Sequence, residues 1–206
     1  MFRVFALIAL AGAISVSGYH RRRARRSSGT IPRGREPGAL KAGRAFVALP
    51  LFGSVLLYLS APDSMAWATF GAPGWLRWLG VAAGLAAVGA VHWVLSNLGA
   101  NVSETVLTKE RHLLVTSGPY RWVRHPLYTV GIGLFVALGL MAANWFILLW
   151  ATLALVAVHL AVIPREERAL TEKFGESYLR YMTTTGRMLP RLASSPPAVR
   201  RDTTDC

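Results

Sequence analysis

Cysteine is almost missing from this chain of 206 residues: the single one, Cys206, is the last residue. That excludes an internal disulfide and a cysteine-built metal site. Cys206 is not followed by the three residues a prenylation signal requires. Acid is scarce too, with ten Asp and Glu against 23 Lys and Arg, for a formal net charge of +13. There is no HExxH, no Asp-rich run, no glycine-rich phosphate loop and no nucleophile elbow. Metal catalysis, nucleotide hydrolysis by a P-loop and serine-hydrolase chemistry therefore lack their usual residues, and no metal is expected.

What the chain does have is apolar length. Hydrophobic residues make up 53% of it and the mean hydropathy is +0.38. Runs of near membrane-spanning length do not belong in a soluble domain of this size. Five spans are predicted, at residues 1–19, 45–61, 75–98, 127–143 and 145–163. The fold class is an all-α integral membrane protein. In the first span, cleavage as a signal peptide is the competing reading, but it would leave the arginine block at 21–26 outside. Four units follow from this: a first span with its basic linker (1–44), two spans (45–98), a core (99–190) and a disordered tail (191–206).

A charge this positive raises the question of nucleic acid, and its placement answers it. Nine Lys and Arg lie in 21–44, four in 109–124 and eight in 165–201. With the N-terminus outside, all three segments fall on the cytoplasmic side, as the positive-inside rule describes, so nucleic acid is not an expected partner. The expected location is the cytoplasmic membrane of a bacterium, with the functional face toward the cytoplasm.

One polar island breaks the apolar runs: residues 115–128, VTSGPYRWVRHPLY. Pro126 falls in the first turn of the next helix, where its fixed φ is favourable and its missing N–H costs nothing. Gly118-Pro119 is a turn signal. The result is a loop folded onto a helix start, with Arg121, Arg124 and His125 beside free backbone N–H groups. Such a place suits a carboxylate or phosphate. After the last span, Glu166 and Glu167 open an amphipathic helix with Leu170, Phe174, Tyr178 and Tyr181 on one face, predicted to lie across the same mouth. Two adjacent acids at a membrane boundary are costly unless partnered. Helical spacing turns Glu167 about 100° away from Glu166.

Five histidines offer further chemistry. His20 reads as solvated, and His92 and His159 as either interhelical hydrogen-bond partners or functional groups within the membrane. His112 and His125 lie in the polar loop. Basic, acidic and aromatic residues over a membrane cavity match a zwitterionic cofactor bearing a carboxylate, an ammonium and an adenine. The Gly80-x-x-x-Gly84 stripe, by contrast, is a packing feature.

Three pieces in order, HLLVTSGPY at 112–120, RHPLY at 124–128 and Glu166-Glu167 followed by FGxxYxxY at 174–181, resemble the isoprenylcysteine carboxyl methyltransferase family. These are integral membrane S-adenosylmethionine-dependent enzymes related to the phospholipid methyltransferases. The resemblance covers roughly residues 98–190. It implies that His112, Leu113, Leu114, Val115, Tyr120, His125, Pro126, Leu127, Tyr128 and Glu166 bind S-adenosylmethionine. By the same resemblance, Leu113–Val115 and Tyr120 flank the adenine, His125 and Pro126 hold the carboxylate, and Glu166 takes the ammonium or ribose. Where eukaryotic prenylcysteine enzymes carry an arginine for the substrate carboxylate, this chain has Val162. The expected partners are membrane lipid and a lipophilic or small-molecule methyl acceptor, a carboxylate, thiol or amine. A thiol or amine would need a base, for which His125, His112 and His92 are candidates; the catalytic residue is otherwise open. A nicotinamide-dinucleotide reductase and a non-enzymatic lipid-binding protein are the alternatives.

Overall fold

The computed structural model describes residues 1–28, 38–99 and 114–191. His112 and Leu113 of the expected cofactor segment lie outside the described residues, as do residues 29–37 of the basic linker and 192–206 of the tail. Five apolar helices make the bundle: α1 (Phe2–Ser28), α2 (Gly38–Ser60), α3 (Gly74–Leu98), α4 (Pro126–Ala142) and α5 (Trp145–Ala157). Four helical stretches, Phe2–Arg26, Ala42–Ser60, Gly74–Leu98 and Trp145–Phe174, are long and apolar enough to cross a membrane. Pro126–Ala142 is apolar but shorter. The protein is an all-helical integral membrane protein, as its composition predicts.

Lipid is as apolar as leucine, so these helices gain little from hydrophobicity alone and associate through close packing. The small-residue stripe of α3 supplies it. A Cβ on Gly80 would stand 2.9 Å from the carbonyl of Ala137 and 2.9 Å from the amide of Met141, both on α4. One on Gly84 would strike the Met141 side chain and touch Ala9 of α1. Ala6, Ala9 and Ala13 bring α1 into the same core, with Ala137, Leu138 and Met141.

Two ends result. At the turn end α4 and α5 meet through Ala143, in the left-handed region at φ 49°, and Asn144, which caps α5 by accepting from the Ile147 amide at 3.1 Å. The 3-10 turn Pro62–Ala68 docks there. At the loop end lie the last turn of α3, the first turn of α4 and, of the described residues, those from 158 to 191.

Beyond Ala157 the helix does not stop. One π turn, Val158–Val162, leads into α6 (Ile163–Phe174), with Pro164 in its first turn. Such bulges often sit next to functional sites, because the inserted residue re-aims the side chains that follow. The expected single C-terminal helix is two: Gly175, at φ 53°, breaks it, and α7 runs Glu176–Thr184. His20, read as solvated, is instead buried, its Nε2 3.2 Å from Nδ1 of His92 on α3. α1 continues as one helix through the arginine block, which carries His20 against α3 rather than into a tail.

Candidate active site

The site is assembled on the segment entering α4. Gly118, at φ 58°, and Pro119 start a 3-10 turn through Arg121, and residues 122–125 then run alongside the chain that follows α7. The Arg124 amide donates to the Gly186 carbonyl at 2.8 Å, the His125 amide to the Arg187 carbonyl at 3.0 Å, and the Gly186 amide returns to Trp122 at 3.1 Å. The Thr129 hydroxyl donates to Met188 at 2.8 Å. This corrects one expectation. Arg121, Arg124 and His125 were expected beside free backbone N–H groups, but the amides of Arg124 and His125 are not among these, since a C-terminal strap, residues 185–189, takes them, as buried backbone groups find partners wherever the chain supplies them.

Two carboxylates converge on His125. Its Nδ1 lies 3.4 Å from Glu166 and its Nε2 3.5 Å from Glu167, and the ring is buried. Tyr128 donates its hydroxyl to Glu166 at 2.6 Å. Glu167 accepts from Arg124 Nε at 2.9 Å and from Arg187 Nη2 at 2.7 Å. Arg124, its side chain 8% exposed, also donates to the Met182 and Thr185 carbonyls. Tyr181 of α7 donates to the Tyr120 carbonyl at 2.6 Å, tying the loop to the C-terminal helices.

The charges follow from this wiring. Burial alone would push His125 down, but the bonds and charges of Glu166 and Glu167 outweigh it and raise its pKa. Burial opposes the charge of Glu167, yet His125, Arg124 and Arg187 hold its pKa at about 2. Burial pushes the hydroxyls of Tyr120 and Tyr178 well above the usual tyrosine range and that of Tyr181 up to about 12. The core of the site is the His125 ring between two carboxylates that favour its charged form, and among the described residues only Glu167 of the two is paired with guanidinium groups. Among the described residues three buried side-chain atoms make no hydrogen bond: the Tyr178 hydroxyl, Trp150 Nε1 within the bundle, and His125 Nε2, which faces Glu167 at 3.5 Å as an ion pair.

Of the expected cofactor residues, the structure brings His125, Tyr128 and Glu166 into direct contact. Pro126 and Tyr120 are buried beside them, and Leu114, Val115 and Leu127 are half-buried. Glu167 does not point away. A ring lodged between neighbouring helical positions can meet both, and His125 does. Arg187 and Tyr178 were not expected in the site. Tyr178 was legible only as part of an apolar face, and Arg187 arrives through the strap, a pairing between distant segments that leaves no local signal.

Known proteins give the family of the chain. Residues 75–177, half of the chain, match the model of the phospholipid methyltransferase family. The chain belongs to that family. The match spans α3, the loop, α4, α5 and both glutamates. The fold resembles that of the eukaryotic intramembrane Ras methyltransferase ICMT (isoprenylcysteine carboxyl methyltransferase), with a TM-score of 0.52 at 19% identity, covering 90% of this chain and 67% of that one. Protein-S-isoprenylcysteine O-methyltransferase of Xenopus laevis is 34% identical over 94 residues, 45% of this chain and 33% of that one. The cobalt-zinc-cadmium resistance protein CzcN of Cupriavidus metallidurans is 35% identical over 85 residues, 41% of this chain and 39% of that protein. The chain thus aligns with about two fifths of CzcN and a third of the frog enzyme. The uncharacterized YpbQ of Bacillus subtilis is 28% identical and is matched over 82% of its length.

Proposed function

We propose that this mouth binds S-adenosylmethionine and that the protein transfers its methyl group to a lipophilic or small acceptor, on the cytoplasmic side of the membrane. One observation carries the reading: Glu166, Tyr128 and His125 converge at the start of α4, inside the part of the chain that matches a methyltransferase family. The donor set suits the cofactor. Glu166 has lone pairs beyond those used by Tyr128, for an ammonium or ribose hydroxyls. Leu114, Val115 and the buried Tyr120, with His112 and Leu113 before them, suit an adenine. The first turn of α4 at Pro126, Leu127 and Tyr128 suits the carboxylate through its positive end, although the His125 amide no longer contributes. The unpartnered Tyr178 hydroxyl fits a site that a polar ligand completes.

When bound, S-adenosylmethionine supplies an electrophilic methyl group on a sulfonium. The chain supplies alignment and exclusion of water, worth up to roughly 7–11 kcal/mol in the best intramolecular models. His125 is poorly placed to act as a base, because each of its ring nitrogens faces a carboxylate that favours the protonated form. The reading therefore favours an acceptor that arrives ionised, such as a carboxylate, over a neutral thiol or amine. A cavity of about 250 Å³ between α2, α4 and α5, lined by Leu51, Phe52, Phe135 and Val162, reaches Tyr128 and gives an apolar acceptor a lateral way in.

Isotope-labelled S-adenosylmethionine and a nicotinamide dinucleotide, titrated onto the detergent-purified protein, test this together with Glu166→Gln. The parent should bind the first and not the second. Glu166→Gln should melt close to the parent without ligand but bind about one to two decades more weakly, the loss of a charge-assisted bond of roughly 1.5–3 kcal/mol. Full ligand-induced stabilisation in Glu166→Gln would remove the cofactor from this mouth.

A further inference from the structure

A second and larger cavity, of about 1060 Å³, lies on α4 and α5 and does not include Tyr128, His125 or Glu166 in its lining. Its floor is apolar, from Ile132 and Val136 of α4 to Leu155 of α5 and Leu160 of the π turn, and the strap lines it above. The upper rim is cationic. His159 and Arg191 are exposed, the Arg187 side chain is 36% exposed, and no acidic side chain lines the cavity. Arg191 is held there rather than loose, since Nη1 donates to the carbonyls of Met182 and Thr183 at the end of α7. Arg187 keeps one nitrogen on Glu167 and has donors beyond it. Arg124, also in the lining, is buried and committed to Glu167.

An apolar trough that ends in cations at the end of a membrane helix has the form of an amphiphile with a negative head. We infer that this cavity is a binding site for an anionic phospholipid of the membrane, its acyl chain along α4 and α5 and its phosphate against His159, Arg187 and Arg191. The occupant is a resident lipid and not the methyl acceptor, because the cavity does not open on the Tyr128–Glu166 contact. Free phosphate lacks the chain that the apolar floor is shaped to take. The inference does not depend on the proposed methyl transfer, and its test does not read activity.

Native mass spectrometry of the protein released from bilayers of mixed phosphatidylglycerol and phosphatidylcholine decides it. The parent should retain phosphatidylglycerol in preference. Arg191→Gln should reduce that preference roughly five-fold, the weight of one cation at an anionic surface, and His159→Gln should reduce it less, by the loss of a ring N–H donor to the phosphate. Arg191→Lys should preserve it. An added Cβ at Gly133 meets nothing within 4 Å, so Gly133→Leu should fill the trough without straining α4 and reduce retention of either lipid. Soluble glycerol phosphate should fail to displace the bound lipid. Equal retention of the two lipids, a preference unchanged in the Arg191→Gln, His159→Gln double variant, or displacement by glycerol phosphate would overturn the inference.

Discussion

At the turn end of the bundle, Asn144 is wholly buried and partnered by groups that hold only that end together. Its Oδ1 caps α5 through Ile147, its Nδ2 donates to Met65 at 3.4 Å, and its amide donates to Gly139 at 3.0 Å. At the loop end Glu167 is nearly as buried, at 5% exposure, but it is charged and its partners are basic side chains, Arg124, His125 and Arg187. Beside it the buried Tyr178 hydroxyl stays unpartnered. A neutral side chain satisfied by nearby backbone finishes a structure. A charged cluster with an unsatisfied hydroxyl is left for a ligand to complete, and this difference separates scaffold from site more sharply than burial does.

Breaking the cluster should cost the most. Glu167→Gln leaves Arg124 buried beside a neutral amide, and removing one partner of a buried pair costs about 3–5 kcal/mol. The expected result is a large fall in melting temperature, with or without S-adenosylmethionine, whereas Glu166→Gln should leave the apo protein nearly intact. Arg187→Gln should fall between them, since that side chain is partly open to solvent. If Glu166→Gln proves the more destabilising in the apo protein, the roles of the two acids are reversed.

The scaffold end should respond less. Asn144→Ala removes the α5 cap and the tie to Met65, for a loss of about 1–2 kcal/mol. Because no ligand is involved there, the melting temperature should drop by a similar amount whether or not S-adenosylmethionine is present. A loss of cofactor affinity in Asn144→Ala would show that the two ends are coupled.

Much of this was legible in the residues. The spans, the Gly80 and Gly84 packing face, the helix start at Pro126 and the meeting of His125 with Glu166 all rest on local signals: apolar length, small-residue spacing, a proline at the first turn and paired acids at a boundary. What could not be read was non-local. No spacing announces that residues 185–189 pair with 122–125, so the fate of the His125 amide and the arrival of Arg187 stayed hidden. The π turn before Ile163 sets the rotation of the helix carrying Glu167, and an ideal helical wheel has no place for it. His20 was misread for a related reason. An arginine-rich sequence looks like a tail until the helix is seen to continue through it.

The smallest effect expected is an absence of change, and it bears on which end does chemistry. His125 has a raised pKa, so its contribution to stability is complete below its ordinary value of 6.5 and is lost as pH rises through the folded value. Glu167 is lowered from 4.5 to about 2, so its contribution is complete above 4.5 and is lost as pH falls toward 2. Between about pH 4.5 and 6.5 both are fully present, and the loss on the alkaline side belongs to His125. Lowering the pH from about 8 to about 6 therefore only fills the imidazolium further. With an ionised acceptor, initial rates at saturating S-adenosylmethionine should stay flat over that interval, provided the acceptor's own titration lies outside it. A rate that falls as His125 gains its proton would mean the histidine works as a base, and that the two carboxylates hold it less firmly than their distances imply.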